Sequence, residues 1–170
     1  MTQIADQHRA QGPQSLQVAV LTISDTRTID DDTSGTLIID LSRKAGHTLA
    51  DRAIIPDEPE AIRAILGNYL ARPDLHAVLI TGGTGISHRD RTFETISDLL
   101  TKPLPGFGEL FRMLSHAEIG PAAMLSRAVG GLIGELVVLV MPGSRAGVEL
   151  AMTRIILPEL PHLVQQARKR

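Results

Sequence analysis

From Leu16 onward the sequence alternates between β-branched apolar segments and segments with helical periodicity. Residues 16–24 are apolar and β-branched, which suits a buried parallel strand, and residues 48–55 and 76–81 read as a second and a third strand. A helical pattern follows each of them; in residues 56–71, for example, apolar residues recur every three or four positions. Because a strand, a helix and a second strand in succession usually place both strands parallel in one sheet, this alternation predicts an α/β fold with a mostly parallel sheet.

Capping residues and prolines mark the predicted helix boundaries. The first helix is expected to begin at a cap formed by one of three neighbours, Asp32, Thr33 and Ser34, and to end at Gly46. Prolines are predicted to end the helix that begins near Thr92 and to interrupt the last helix, after residue 144. They are Pro103 and Pro105 in the first case, and Pro158 and Pro161 in the second.

One pair of strands departs from the alternation. Residues 127–143 read as two strands joined near Gly134, so an antiparallel strand is expected near residues 128–133. The whole pattern predicts a three-layer α/β/α sandwich around a mostly parallel sheet, formed by a single domain at residues 16–170. Residues 1–15 are polar and are predicted to be a flexible tail.

Composition excludes several classes of function. The net charge is −2 and the chain has one Tyr, three Phe and no Trp, so it offers neither a basic field nor a stacking platform for nucleic acid. The absence of cysteine excludes disulfides, thiolate metal sites and a cysteine nucleophile. The start of the chain has no signal-peptide pattern, and the apolar run at 136–141 is too short to cross a bilayer. We therefore expect a soluble cytoplasmic protein without a nucleic-acid or membrane partner.

The most polar short stretches follow four of the predicted strands. They are SDTR at 24–27, PDE at 56–58, TGGTG at 81–85 and MPGS at 141–144. In an open α/β sheet, ligands bind beyond the carboxyl ends of the strands. The coincidence of four polar stretches at such positions predicts a binding site at that edge of the sheet.

The TGGTG loop allows two interpretations. It is not a Walker A loop, since no Gly-Lys-Ser/Thr follows, and it is not GxGxxG, since His88 stands where the third glycine would be. Glycines let consecutive backbone N–H groups turn toward a phosphate, and threonine hydroxyls add donors. A tight strand-to-helix turn with positive φ would need the same glycines. The five residues are Thr81, Gly82, Gly83, Thr84 and Gly85.

The charged residues near this loop also have competing interpretations. Asp90 could ligate Mg²⁺, and Arg89 could balance charge on a phosphate or anchor the loop, or the two could form a surface ion pair. Asp57 could be a second Mg²⁺ ligand or could cap the helix that follows it. The six histidines lack metal-ligand spacing, and His88 is interpreted as a bystander.

Taken together, these stretches resemble the family of molybdenum cofactor biosynthesis protein B and molybdopterin adenylyltransferase. The similarity runs in order from about residue 16 to residue 160, and SDTR with DDTSG, together with FRMLSHAEIG, resembles the B-type branch. The stretches that carry it are LTISDTRTIDDDTSG, ITGGTGISHRDRTFE, PGFGELFRMLSHAEIG, SRAVGG and VMPGS.

The resemblance implies a molybdopterin-binding fold and a reaction in which molybdopterin and MgATP give adenylylated molybdopterin and pyrophosphate. It implies Asp57 and Asp90 as catalytic residues that would hold Mg²⁺, and it favours catalysis over capping for Asp57. Thr92 and Glu94 are interpreted mainly as the opening of the next helix. The other residues predicted to bind phosphate or ligand groups are Ser24, Asp25, Thr81, Gly82, Gly83, Thr84, Gly85, Arg89, Pro142, Gly143 and Ser144.

Implied partners are molybdopterin, ATP, other copies of the chain in a trimer or hexamer, and a molybdenum insertase. A second hypothesis is a non-catalytic molybdopterin-binding or carrier protein of the same family. A third is a stand-alone relative of the domain that shares this fold in nucleotide-recycling hydrolases or in the insertase. The length of 170 residues disfavours the third, because those contexts usually include further domains.

Overall fold

The computed structural model describes residue 13 and residues 15–169. Within these residues, strands and helices alternate as predicted, and the predicted tail lies almost entirely outside them. The strands are β1 (Gln17–Ile23), β2 (Thr48–Ile55), β3 (Ala77–Thr81), β4 (Lys102–Pro103), β5 (Val129–Ile133) and β6 (Leu136–Met141). The helices are α1 (Thr33–Lys44), α2 (Pro59–Leu70), α3 (Thr92–Leu99), α4 (Pro105–Ile119), α5 (Arg145–Ala151) and α6 (Leu157–Ala167), with a 3₁₀ helix at Gly120–Leu125 and a π-helical turn at Met152–Ile156.

The six strands form one sheet in the order β2-β1-β3-β6-β5-β4. The pairs β1–β2, β1–β3 and β3–β6 are parallel, whereas β5 is antiparallel to β6, which confirms the antiparallel strand predicted near residues 128–133. Sequence reasoning missed β4, which pairs antiparallel with β5 through two residues. One of them is Pro103, which fits this position because a strand at the sheet edge tolerates a residue without a backbone N–H.

Helices cover both faces of the sheet, so the predicted three-layer α/β/α sandwich is confirmed. Alternate β1 side chains enter two separate cores: Val18 and Val20 on one face, Ala19 and Leu21 on the other. The first core is closed by α1, α4, α5 and α6, and the second by α2 and α3. No helix among residues 15–169 is long and apolar enough to span a membrane.

The helix ends follow the predicted caps, but the prolines act differently. Asp32 caps α1 by accepting a hydrogen bond from the Gly35 N–H at 2.8 Å, and Gly46 follows the helix with a φ of 86°. The prediction that Pro103 and Pro105 end α3 is wrong, because α3 ends at Leu99 and Pro105 opens α4, where its missing N–H has no helical partner to lose.

The predicted interruptions at Pro158 and Pro161 are also wrong, since both prolines lie within α6. The irregularity lies earlier, in the π-helical turn at Met152–Ile156. A proline ring collides with the carbonyl four residues before it, which for Pro158 belongs to Arg154 in that turn. The wider π-helical turn accommodates this displacement, so the helix continues.

Candidate active site at the carboxyl edge of the sheet

Two side-chain hydrogen bonds join segments that follow different strands of the sheet to the loop after β6. The Thr81 hydroxyl, at the end of β3, donates to the Pro142 carbonyl after β6 at 2.9 Å. The Ser34 hydroxyl, in the first turn of α1, donates to the Gly143 carbonyl at 2.8 Å. A cavity of about 100 Å³ lies between these loops, and four of the predicted residues line it together: Ser24, Thr81, Gly82 and Gly143.

The serines of the predicted site have local partners. The Ser24 hydroxyl accepts hydrogen bonds from the N–H groups of Thr26 at 3.3 Å and Arg27 at 3.1 Å, which shapes the turn after β1. The Ser144 hydroxyl accepts from the Gly147 N–H at 3.1 Å and caps α5. Both hydroxyls therefore shape the loops, and their ligand-binding roles stay predictions.

The glycine loop is a tight turn and also presents free donors. Gly82 has a φ of 100° and Gly83 one of 65°, and a Cβ at either position would collide, with the Ile23 carbonyl and the Thr92 hydroxyl respectively. The three N–H groups after Gly82 donate to no acceptor within residues 15–169. They belong to Gly83, Thr84 and Gly85. The turn interpretation is therefore correct, and it leaves the phosphate interpretation open.

Asp57 is almost completely buried, at 5% exposure. It precedes α2 in the chain, but its side chain is hydrogen-bonded to the start of another helix, α3. Its Oδ1 accepts from the Thr92 hydroxyl at 2.9 Å, and its Oδ2 accepts from the Arg91 N–H at 3.1 Å, where α3 begins. The alternative that Asp57 caps α2 is wrong, because Glu58 is that N-cap and makes no side-chain capping bond. Burial raises the pKa of Asp57, although these two hydrogen bonds oppose the rise.

Asp90 lies close enough to Asp57 for its charge to contribute to the raised pKa of that buried carboxyl. Asp90 Oδ2 accepts from both the N–H and the hydroxyl of Ser87, at 2.9 and 2.6 Å. Its Oδ1 accepts no hydrogen bond from residues 15–169. Asp90 also borders a cleft of about 460 Å³ on the outer side of the loop. One carboxylate oxygen is thus free to bind a ligand beside a second, buried carboxylate.

Arg89 joins the first two polar stretches to the glycine loop. Its guanidinium pairs with both carboxylate oxygens of Asp25, at 2.7 and 2.6 Å, and with Glu58 at 2.5 Å. The interpretation of Arg89 and Asp90 as an ion pair with each other is therefore wrong. The observed pairs agree with the anchoring interpretation of Arg89, and its phosphate-binding role stays a prediction. The Arg89 guanidinium lowers the pKa of Asp25, whose Oδ1 also accepts from the Asp57 N–H at 3.3 Å.

The donor set limits the kind of metal that this site could hold. No three His, Cys, Asp or Glu side chains within the described part of the chain are arranged to hold a metal ion. Asp57 and Asp90 supply two oxygen-donor side chains, one of them with a free oxygen. Mg²⁺ is commonly bound by one or two carboxylates, with waters and substrate phosphates completing its octahedron, so these residues fit that ion.

Comparison with known proteins assigns the family. Residues 19–162 match the sequence profile of the "Probable molybdopterin binding domain". The chain belongs to this family. Molybdenum cofactor biosynthesis protein B of Bacillus anthracis is 51% identical over 159 residues, which are 92% of this chain and 94% of the relative.

Solved structures of family members agree with this assignment. A crystal structure of molybdenum cofactor biosynthesis protein B aligns with a TM-score of 0.89 at 48% identity, covering 94% of this chain and all of the other. The tungsten cofactor synthesizing protein MoaB of Pyrococcus furiosus aligns with a TM-score of 0.83 at 36% identity, covering 92% and 99% of the two chains. The resemblance to molybdenum cofactor biosynthesis proteins is thus confirmed, as is the fold that it implied.

Sequence reasoning did not anticipate three residues that organise this molybdopterin-binding-family site. Thr92 opens α3 as expected, but it also donates to Asp57. Glu58 shares Arg89 with Asp25, and Arg127 contacts the segment that contains Asp90. Each contact joins residues more than 30 positions apart. All three residues lie in stretches that the sequence analysis quotes, PDE, ITGGTGISHRDRTFE and SRAVGG, but no local pattern in those stretches indicates the partner.

Proposed function

We propose that this chain transfers the adenylyl group of MgATP to molybdopterin and releases pyrophosphate. The observation that carries the proposal is the pairing of buried Asp57, with its raised pKa, and Asp90, with its free oxygen. Both lie beside a loop whose N–H groups are available to an anion. Two carboxylates and a glycine loop are the components that phosphoryl chemistry uses to position charged groups.

In the proposed reaction, a terminal phosphate oxygen of molybdopterin attacks the α-phosphorus of ATP. A new phosphorus–oxygen bond forms, the bond from the α-phosphorus to the bridging oxygen breaks, and pyrophosphate leaves with that electron pair. A phosphate monoester is largely a dianion at neutral pH, so the nucleophile needs no general base. The task of the protein is then to align two polyanions and to neutralise their charge.

Asp57 and Asp90 would hold Mg²⁺, which supplies positive charge against the phosphate oxygens as charge moves to the leaving group. The Thr92 and Arg91 bonds fix the buried Asp57 carboxylate, whereas Asp90 offers its free Oδ1. The N–H groups of the glycine loop would donate to phosphate oxygens, with Arg89 as a nearby cation. We propose that the ends of the nucleotide and pterin are bordered by Ser24, Asp25, Thr81, Pro142, Gly143 and Ser144, of which Ser24, Thr81 and Gly143 line the small cavity.

The proposal includes the setting of the reaction. We propose that the protein acts in the cytoplasm as a homo-oligomer, a trimer or a hexamer, and that a molybdenum insertase uses the adenylylated product. Relatives named as molybdenum cofactor biosynthesis proteins match this chain over more than nine-tenths of its length, which supports a place in that biosynthesis. Exposed apolar side chains on α4 and the following 3₁₀ helix are compatible with contacts between copies: Leu110, Met113, Ile119, Met124 and Leu125.

The decisive experiment measures pyrophosphate release from ATP, Mg²⁺ and molybdopterin, together with pterin binding. We expect release by the wild type and a loss of about 100-fold or more in Asp57→Asn and Asp90→Asn, with pterin binding retained. Asp74→Asn is the matched control, because Asp74 is an exposed carboxylate paired with Arg72.

The outcomes separate the two leading hypotheses. Pterin binding by the wild type without pyrophosphate release would establish the carrier function instead. Near-normal turnover in both Asp57→Asn and Asp90→Asn would remove the catalytic assignment of these carboxylates while leaving the reaction in place.

A further inference from the structure

Arg127, which precedes β5, contacts the segment that contains Asp90 at three points. Its Nη2 donates to the Asp90 carbonyl at 3.3 Å, its Nη1 pairs with Glu94, and its guanidinium carbon lies 5.0 Å from the centre of the Phe93 ring. We propose that Arg127 is a positioning residue that fixes Asp90 for metal binding, an inference that rests on the proposed function. Nothing in the family resemblance assigned a role to this arginine.

The contacts around Asp90 divide into two kinds. The Ser87 bonds hold the Asp90 side chain relative to its own turn, whose backbone is closed by a bond from the Asp90 N–H to the Ser87 carbonyl at 3.1 Å. All of these partners lie within three residues of each other, so they would move together. Arg127 is 37 residues away in sequence and ties this turn, at the Asp90 carbonyl itself, to the segment before β5. It acts in addition to the long-range bonds of the two neighbouring residues, Arg89 and Arg91. A carboxylate that ligates a metal needs both restraints.

The form of the contact requires an arginine. The Arg127 side chain is 23% exposed, and one planar guanidinium reaches a carbonyl, a carboxylate and an aromatic ring. A lysine ammonium is a point charge without a planar fork, and it cannot make the same three contacts from one position. Arg127→Lys therefore keeps the positive charge of the side chain but removes the planar guanidinium that makes the three contacts.

A competing role is direct contact of Arg127 with a bound phosphate, because Arg127 also borders the outer cleft beside Asp90. Arg63 borders the same cleft, but among residues 15–169 its only ion pair is with exposed Asp98, at 3.8 Å, and it makes no hydrogen bond or ion pair with the Asp90 turn. Arg63→Ala therefore removes one positive charge from the cleft without releasing the turn. Arg63→Ala is therefore the matched control, because it tests the loss of a positive charge from the cleft separately from the loss of bonds to the Asp90 turn.

The test measures Mn²⁺ binding to the protein alone by electron paramagnetic resonance, with Mn²⁺ as the probe for the Mg²⁺ site. Replacing residues that orient metal ligands typically weakens metal affinity 10- to 100-fold. We expect Arg127→Ala and Arg127→Lys to weaken Mn²⁺ binding by about 10-fold or more, while Arg63→Ala binds Mn²⁺ like the wild type. Circular dichroism and thermal unfolding confirm that each variant is folded, and Arg127→Lys serves if Arg127→Ala does not fold.

Three results would overturn the inference: wild-type protein that binds no Mn²⁺, wild-type affinity in Arg127→Lys, or equal weakening in Arg63→Ala. A lowered unfolding temperature with unchanged Mn²⁺ affinity would mean that Arg127 is only structural. The pyrophosphate assay keeps the two proposals apart. Pyrophosphate release by the wild type, with unchanged Mn²⁺ affinity in the Arg127 variants, would contradict the inference alone. If the Arg127 variants bind Mn²⁺ more weakly than the wild type does, but the wild type releases no pyrophosphate, the result would contradict the proposed function alone.

Discussion

The site has two halves that are built in opposite ways. In the half that we call the buried anchor, Asp57 and Thr92 are bonded to each other, and Gly83 packs directly against both. In the half that we call the exposed latch, Arg89 bridges Asp25 and Glu58, and these three side chains are between 39% and 50% exposed. The anchor and the latch are adjacent in the chain, since Asp57 and Glu58 are consecutive residues, yet the anchor is buried and the latch is exposed to solvent.

This contrast indicates which half can rearrange. Moving a group of the anchor would leave a carboxylate buried without its donors, which costs several kcal/mol. Opening the latch returns three charged groups to water, where each is well solvated and the mutual attraction is weak. We infer that the anchor holds one fixed geometry, whereas the latch can exchange its internal ion pairs for contacts with a phosphate.

The largest effect is expected for Gly83→Ala in the anchor. A Cβ at residue 83 would overlap the Thr92 hydroxyl and lie 2.6 Å from Asp57 Oδ2, at a positive φ that alanine disfavours. We expect the free energy of unfolding, measured by urea denaturation, to fall by about 3 kcal/mol or more. Gly67→Ala is the control, because a Cβ in that α2 position meets nothing within 4 Å, and it should be neutral or slightly stabilising. Equal stability of the two variants would show that the anchor is not rigid.

The second effect in size is expected for Thr92→Val, which keeps the shape of the anchor and removes its hydroxyl. Asp57 Oδ1 would lose its donor while it stays buried, so we expect a loss of about 1.5–3 kcal/mol in the free energy of unfolding. Thr95→Val is the control: Thr95 is 3% exposed, and among residues 15–169 its hydroxyl donates only to the Arg91 carbonyl, which also accepts the Thr95 N–H. A loss no larger than that of the control would contradict the role given to Thr92.

Local sequence patterns predicted the parts of the anchor and the latch but not their pairing. The strand that ends at Thr81 is a buried apolar run, and the positive φ of Gly82 follows from a turn that only glycine makes easily. These features depend on neighbours in the chain. The bond from Thr92 to Asp57 spans 35 residues and depends on how α3 packs against the end of β2, which no local pattern contains.

The same limit explains the errors in the fold. The two-residue strand β4 is too short for any alternation to reveal it, and its Pro103 indicates an interruption when it is taken alone. Pro158 reads as a helix breaker because the compensating π-helical turn is not visible in the sequence. In both cases, tertiary packing outweighs a correct local preference.

A much smaller effect on stability is expected for Arg89→Ala in the latch. Although the guanidinium makes three hydrogen bonds to two carboxylates, both of these carboxylates are exposed, so we expect only a small loss in the free energy of unfolding. The deficit should shrink further in high salt, which screens exposed ion pairs. Arg72→Ala, which breaks the exposed pair with Asp74, should behave alike in urea denaturation. A loss as large as that of Gly83→Ala would mean that the latch is a structural element.

The smallest expected effects are on the pH dependence of the free energy of unfolding. Asp57 in the anchor and Asp25 in the latch should contribute to it with opposite signs. Burial raises the pKa of Asp57, so the folded protein holds this proton more tightly than the unfolded chain does. The contribution of Asp57 to the free energy of unfolding is therefore at its maximum below the ordinary aspartate pKa, and it is lost as the pH rises through the raised pKa of Asp57 in the folded protein. The Arg89 guanidinium lowers the pKa of Asp25, so that contribution is present above the ordinary pKa and is lost as pH falls through the lowered value.

Carboxyl ¹³C chemical shifts, followed by NMR between pH 2 and 7 (about the range where carboxyls titrate), resolve both groups. We expect Asp57 to titrate at a higher pH than Asp25, and Arg89→Ala to move the Asp25 midpoint upward. Thr92→Val should move the Asp57 midpoint further upward, because the hydroxyl stabilises the charged form. If Asp57 binds a divalent cation, added Mg²⁺ should lower the midpoint of Asp57, because the cation and the proton compete for one carboxylate. Coincident midpoints for the two aspartates would mean that burial does not separate the anchor from the latch.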